Sequence, residues 1–292
     1  MADKYRTDMA VELNRLHNPD SGIRGVHVDE QERGGFHLTT IKIDTEEASG
    51  ILCKPIGEYI TLEVGAFLRR EENSFETAAN ILAEKLRGLA ALPQEGGVLV
   101  VGLGNRAVTP DAVGPEVIDG VLATRHLRER NPEHFASFRE VAAFCSGVLG
   151  TTGLESADII KSIVDFMHPA CVIAVDALAA VEISRLCRTV QLADSGVVPG
   201  SGIGNGRAAL NAQTLGVPVI ALGVPTVEDA ATRVRSFVPN AADMHGVESA
   251  GMIVTPKDID ANVHDIARLI SYGINLALHD GLTIADVDML IG

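Results

Sequence analysis

The sequence contains no tryptophan, and all aromatic residues together make up only 4% of its 292 residues. A core of this size therefore cannot lean on rings. It has to be built from Val, Ile, Leu and Ala, which carry most of the 46% hydrophobic fraction. Long apolar runs are also missing. The stretch from Cys171 to Val181 is interrupted by Asp176 and falls short of the roughly 20 residues a bilayer span needs. The opening Met1-Ala-Asp-Lys-Tyr-Arg-Thr lacks the apolar centre of a secretion signal, so neither export nor a membrane partner is expected. Positive charge is scarce: 24 Lys and Arg against 39 Asp and Glu leave a net charge of −15. That argues against nucleic acid as a direct partner; a basic protein partner stays open. The cysteines Cys53, Cys145, Cys171 and Cys187 form no CxxC pair, which argues against a zinc or redox motif. They read as buried, reduced thiols of a cytoplasmic protein. No HExxH occurs among the nine histidines. His245, in Asp243-Met-His-Gly246, has the most ligand-like setting, and reads as readily as a structural or exposed loop residue.

What the chain does contain is organised around Val98-Leu-Val-Val-Gly-Leu-Gly-Asn-Arg-Ala-Val-Thr-Pro-Asp-Ala-Val-Gly-Pro115. Val98–Val101 is a short β-branched run, which predicts a buried strand. Gly102 and Gly104 allow a sharp turn after it. A periodic segment from Glu116 to Leu127 predicts a helix, with Pro115 suited to a first turn. In open α/β sheets ligands bind at the carboxyl ends of strands, and Asp111 falls there. Gly102-Leu-Gly104-Asn-Arg-Ala107 also fits a dinucleotide fingerprint. However, Thr109-Pro110 delays the helix, and the second strand candidate ends in Cys145-Ser146 rather than an acid. The lysine of a P-loop is missing as well.

Residues 1 to 20 are polar with helical tendency, ending at Asn18-Pro19. His37–Asp44 alternates as a strand and Tyr59–Val64 reads as its partner. Asn73 to Leu92 predicts an amphipathic helix capped by Asn73 or Ser74. From Val98 onward strands alternate with helices. The strands are Val98–Val101, Val141–Phe144, Cys171–Val175, Arg188–Leu192 and Val217–Leu222; the helices are Glu116–Leu127, Glu155–Phe166, Arg207–Thr214 and Val227–Val234. Alternation of this kind predicts an α/β fold, a mostly parallel sheet with helices on both faces, carrying a β-rich N-terminal addition. A strand Met252–Val254 follows, then Thr255-Pro256 as an N-cap, a long helix towards Leu278, and a short terminal helix capped by Thr283. One domain is expected over 9–292, with the addition at 9–95 and the α/β core at 96–292.

Two readings of Asp176 stand side by side. A carboxylate at the end of an apolar strand is costly unless paired, hydrogen-bonded or partly exposed. It either caps a following helix, or it meets Asp111 across neighbouring strands. Close carboxylates do not both ionise easily, so one tends to hold a proton; such a pair can activate water and protonate a leaving nitrogen. The glycine-rich stretch from Asp194 to Gly206 reads either as a long surface loop or as a backbone-rich cradle for substrate. Ser201 within it lacks a GxSxG frame, and Cys145 has no recognisable histidine partner.

Four of these motifs in this order, Val100-Val-Gly-Leu-Gly-Asn, Val108-Thr-Pro-Asp-Ala-Val-Gly-Pro115, Ala174-Val-Asp-Ala-Leu-Ala-Ala180 and Pro199-Gly-Ser-Gly-Ile-Gly-Asn205, resemble the germination protease family of spore-forming bacteria. The likeness also takes in Arg6-Thr-Asp-Met-Ala-Val-Glu12 and runs to the C-terminal region. It implies an endopeptidase of the forespore and spore core that degrades small acid-soluble spore proteins. It further implies a zymogen that removes its own N-terminal segment, a homotetramer, and no cofactor. The family's catalytic aspartates fall on Asp111 and Asp176. Asn105, Gly200, Ser201, Gly202 and Gly204 are the implied substrate-binding positions. Substrates of the family are cut after an acid that precedes a large apolar residue. Thr7-Asp8-Met9-Ala10-Val11-Glu12 has that pattern, so residues 1–8 are expected to leave by a cut between Asp8 and Met9, faster in mild acid than at neutral pH. The fold also resembles that of the hydrogenase maturation proteases, which bind nickel through acids and a later-loop histidine. Gly196 to Gly206 contains no histidine, which favours metal-free carboxylate chemistry. A nickel-dependent maturation-type protease and a nucleotide-binding regulatory module remain the alternatives.

Overall fold

A computed structural model describes residues 6–17, 22–89, 91–201, 206–237 and 251–291. In chain order the elements are α1 (Ala10–His17), β1 (Val26–Arg33), β2 (Phe36–Ile43), α2 (Glu46–Leu52), β3 (Gly57–Glu63), α3 (Gly65–Leu68), α4 (Ser74–Gly88), β4 (Val98–Leu103), α5 (Val113–Asp119), α6 (Arg125–Arg130), β5 (Val141–Gly147), α7 (Leu149–Thr152), α8 (Ser156–Met167), β6 (Cys171–Ala179), β7 (Thr189–Ala193), α9 (Ala212–Leu215), β8 (Val219–Asp229), α10 (Ala230–Phe237), β9 (Ile253–Val254), α11 (Ile259–Leu278) and α12 (Ile284–Ile291). Among the described residues no helix is long and apolar enough to cross a membrane.

The strands join in the order β1-β2-β3-β7-β8-β6-β4-β5, with β9 paired to β8. The predicted parallel core is β8-β6-β4-β5. Its strands are apolar on both faces, as helix-covered parallel strands must be. The N-terminal strands continue this sheet: β2 pairs antiparallel with β3 as expected, β3 with β7, and β7 with β8. One face carries α4, α5 and α11 over Val98, Val100, Ile173, Val175, Ile220 and Leu222. On the opposite face α8 covers Leu99, Val101 and Val172. There too α1 and α2 cover Ile41, Ile43, Tyr59 and Leu178.

Several local expectations are corrected. Strand β1 has no apolar alternation to announce it, because its side chains are almost all exposed. The helix read over Glu116–Leu127 is two helices. Buried Asn275 of α11 donates from Nδ2 to the Gly120 carbonyl (2.8 Å) and accepts from the Leu122 N–H (2.9 Å), so it takes the groups that would have continued α5. The helix read over Arg207–Thr214 begins only at Ala212, where the Asn211 side chain accepts from the N–H groups of Gln213 and Thr214. Val227–Asp229 belong to β8, because β9 pairs with Glu228 and Asp229. The Asp229 carboxylate then accepts from the Thr232 N–H (2.8 Å), starting the helix at Ala230. Thr255 is not a cap: its hydroxyl donates to the Thr226 carbonyl (2.9 Å), and α11 starts three residues beyond Pro256. Asn73 precedes α4 but forms no side-chain cap, being left-handed at φ 57°. Thr283 does cap α12, in a reciprocal exchange with Asp286. Cys171 and Cys187 are buried, whereas Cys53 and Cys145 are exposed, against the expectation of four buried thiols.

Candidate active site

The first catalytic candidate is placed by two close backbone approaches. At the end of β4, Gly104 has φ 107°, and a Cβ there would lie 2.1 Å from the Asp111 carbonyl oxygen. No side chain fits, so the turn folds back tightly over the strand end. A Cβ on Gly114 would lie 2.3 Å from the Leu103 carbonyl and 2.6 Å from that of Val175. The start of α5 therefore packs directly against β4 and β6. Between these two contacts sits the single turn Thr109–Asp111. It is tied from below by the hydroxyl of fully buried Thr226, which donates to the Pro110 carbonyl (2.7 Å). The Asp111 carboxylate accepts the Asn105 N–H (2.7 Å). Burial raises its pKa and this bond opposes the rise.

Asp176 lies within β6, which runs on to Ala179 because the long β8 continues to pair with it. The helix-cap reading is thereby excluded: strand, not helix, follows. Asp176 is 5% exposed and accepts the N–H of its neighbour Ala177 (2.9 Å). Its pKa is pushed up to about 8, first by burial, then by the negative charges of Asp111 and Asp8. Both aspartates line one cavity of about 260 Å³ at the carboxyl ends of the parallel strands, as the pairing of β4 with β6 requires.

The N-terminal segment enters the same cavity. Asp8 exchanges hydrogen bonds with Ala179: its N–H donates to the Ala179 carbonyl (2.9 Å), and its carboxylate accepts the Ala179 N–H (2.9 Å). The other carboxylate oxygen accepts the Ser201 hydroxyl (2.5 Å). Glu12, also buried, accepts the N–H groups of Val181 (2.8 Å) and Glu182 (2.9 Å). Between these anchors Met9 is fully buried.

Gln191, which sequence reasoning missed, spans the Asp8–Met9 peptide. Its Nε2 donates to the Asp8 carbonyl (3.2 Å), and its Oε1 accepts the Ala10 N–H (2.8 Å). Register explains its place. Asp176 pairs with Gly223 and Gly223 with Gln191, so acid and amide stand on the same face with a residue lacking a side chain between them. A polar residue inside the buried strand Thr189–Ala193 was the available signal.

Of the implied substrate-binding positions, Gly200 lines the cavity and Ser201 touches Asp8. Asn105 acts through its backbone, while its side chain turns away to accept the Ala107 N–H (3.0 Å). Gly202, Gly204 and His245 lie outside the described residues. On the rim, Arg207 and Glu155 form an ion pair (3.4 Å).

A family model described as germination protease matches residues 5–243, a span that includes Asp8, Asp111, Asp176 and Gln191. The chain belongs to the germination protease family. It is a peptidase with a role in spore germination. It is 40% identical to the germination protease of Caldanaerobacter subterraneus subsp. tengcongensis, with 98% of each chain covered. With that of Clostridium perfringens (strain ATCC 13124) it shares 36% over 98% of each. The germination protease of Bacillus cereus (strain AH187) is 36% identical, with 94% of this chain and 93% of that one covered. Among solved structures, the NiFe hydrogenase maturation protease HycI from Thermococcus kodakarensis KOD1 matches at a TM-score of 0.37 and 16% identity, covering 65% of this chain and 98% of the other.

Proposed function

We propose that this protease is an endopeptidase for small acid-soluble spore proteins, working in the spore interior as a homotetramer and made as a zymogen. Asp111 and Asp176 are its catalytic pair, without a cofactor. The observation that carries the reading is the joint cavity: two aspartates with unequal proton affinity, and an acidic side chain of the chain's own N-terminus bound beside them.

The unequal affinities assign the roles. Burial and the charges of Asp111 and Asp8 favour a proton on Asp176, whereas the Asn105 N–H opposes the rise at Asp111, so Asp176 is taken as the acid and Asp111 as the base. Asp111 takes a proton from water as the water oxygen bonds to the carbonyl carbon. The carbonyl oxygen, which the Gln191 amide holds in the bound N-terminal segment, gathers negative charge. Asp176 then gives its proton to the departing nitrogen as the C–N bond breaks. Residues 1–8 are the propeptide, and Asp8–Met9 is the bond cut.

The test is to incubate the whole chain with a small acid-soluble spore protein, reading the fragments by mass spectrometry and the protease's own terminus by sequencing. Substrate fragments begin at an apolar residue that follows an acid, and the protease acquires Met9 as a new terminus. Asp8→Lys, which puts a cation where Ser201 and Ala179 hold an anion, blocks self-cleavage. A terminus at Leu13 moves the cut to Glu12, and an intact substrate rejects the substrate assignment.

A further inference from the structure

Lys54 has no part in the chemistry so far. It follows Cys53, the residue that caps the C-terminus of α2 and whose left-handed φ of 51° turns the chain out of the helix. The turn carries Lys54 to the wall of a second cavity of about 170 Å³, shared with Asp8, Tyr59, Gln191, Ser195 and Ser201. Asp8 thus belongs to both cavities: Asp111 and Asp176 lie in one, Lys54 in the other. Among the described residues Lys54 forms no salt bridge. Burial pushes its pKa down, and the negative charge of Asp8 is the largest influence opposing this. A desolvated ammonium without a fixed partner is costly to keep. A carboxylate arriving in the cavity offsets that cost.

The Asp8 carboxylate already has two fixed donors, the Ser201 hydroxyl at 2.5 Å and the Ala179 N–H at 2.9 Å. Both are neutral, and neutral donors alone would accept an amide side chain through its oxygen nearly as well. A cation facing the same cavity changes that, because its charge attracts a carboxylate and has no like attraction for a neutral amide. We propose that Lys54, with Ser201 and the Ala179 N–H, forms the subsite that reads the carboxylate side chain preceding the cut bond, selecting acids over their amides. The proposal rests on the reading of Asp8–Met9 as a substrate-like peptide.

The test uses two synthetic peptides, Thr-Asp-Met-Ala-Val-Glu, as in residues 7–12, and its Thr-Asn-Met-Ala-Val-Glu counterpart, each with flanking residues, and compares kcat/KM as a ratio. The processed wild type prefers the Asp peptide by about tenfold to a hundredfold, the range for an interaction with a charged group. In Lys54→Met the ratio falls to about one. Lys54→Arg, which keeps the charge, restores it to above about ten, the low end of the same range. A Met variant that keeps the wild-type ratio, or an Arg variant whose ratio collapses, overturns the subsite. If Lys54→Met does not fold, Lys54→Gln, which keeps a polar side chain without the charge, carries the same test: its ratio falls to about one if the charge reads the acid, and an unchanged ratio overturns the subsite. A wild type that cuts neither peptide overturns the reading of the cut bond. A wild type that cuts both equally overturns the subsite while leaving that reading in place.

Discussion

Asp111 and Asp176 differ in what surrounds them, and the difference has a pH signature. Asp111 has a firm backbone donor in Asn105; Asp176 has only its neighbour's N–H, with negative charge from Asp111 and Asp8. A carboxyl whose pKa is raised to about 8 is protonated below that pH and ionised above it. If Asp176 is the acid, activity is present below pH 8 and is lost as pH rises through it. The expected mild-acid preference of self-cleavage then has its alkaline limit at the same group. Asp111→Asn and Asp176→Asn each lower kcat/KM by about 10²- to 10⁴-fold, the usual contribution of a general acid or base, with circular dichroism unchanged and the wild type insensitive to chelators. Full activity in either variant rejects the pair. The position of both aspartates at the strand ends was legible in the sequence: Asp176 because an acid within an apolar run needs a reason to be there, Asp111 because it follows the glycine turn after β4. Gln191 and Lys54 were not. Nothing in their sequence neighbourhood refers to the site; three-strand register places Gln191 across from Asp176, and the turn after α2 brings Lys54 to the cavity it shares with Asp8.

At the scale of elements, apolar periodicity located the strands other than the exposed β1 but cut those of the parallel core short. Cys171–Val175 and Val217–Leu222 were read to the last residues of their apolar runs, whereas β6 and β8 run on to Ala179 and Asp229. The extension carries Asp176, Gly223 and Thr226, and depends on pairing partners that no local window contains. Helix ends failed for a related reason. Asn275 stops α5 from more than 150 residues away in sequence. Glycine was more telling, since Gly104 and Gly114 mark contacts between backbones. Gly114→Ala tests this. The three atoms nearest its Cβ would all be main-chain atoms of Leu103 and Val175, which cannot move aside as a side chain can. The expected cost is on the order of 3 kcal/mol or more, read as a fall in urea midpoint. A loss below about 1 kcal/mol, the centre of the range for ordinary substitutions, would show that α5 can slide away from the sheet.

Across the whole molecule, one buried histidine links stability to acidity. His279 closes α11, is 1% exposed, and packs its ring against Phe138. Burial, the leading cause, lowers its pKa from 6.5 to about 4. The unfolded chain therefore takes up a proton between those values that the folded chain refuses. The contribution is whole above pH 6.5 and is lost as pH falls towards 4. From pH 6.5 to 5 the loss is about 2 kcal/mol, measurable by urea titration at the two pH values. His279→Leu flattens this slope; an unchanged slope would place the acid sensitivity in another group.

The pairing of Asp176 with Gly223 and of Gly223 with Gln191 makes the sheet a ruler. Its graduations are the strand spacing of about 4.8 Å, so acid and amide stand two divisions apart, about 9.6 Å between backbones. Hydrogen-bond ladders do not stretch, and a slip of one residue would turn Asp176 to the far face altogether. The loops around the cavity can change what enters it. The interval at which a peptide is measured is common to every sequence that keeps this register.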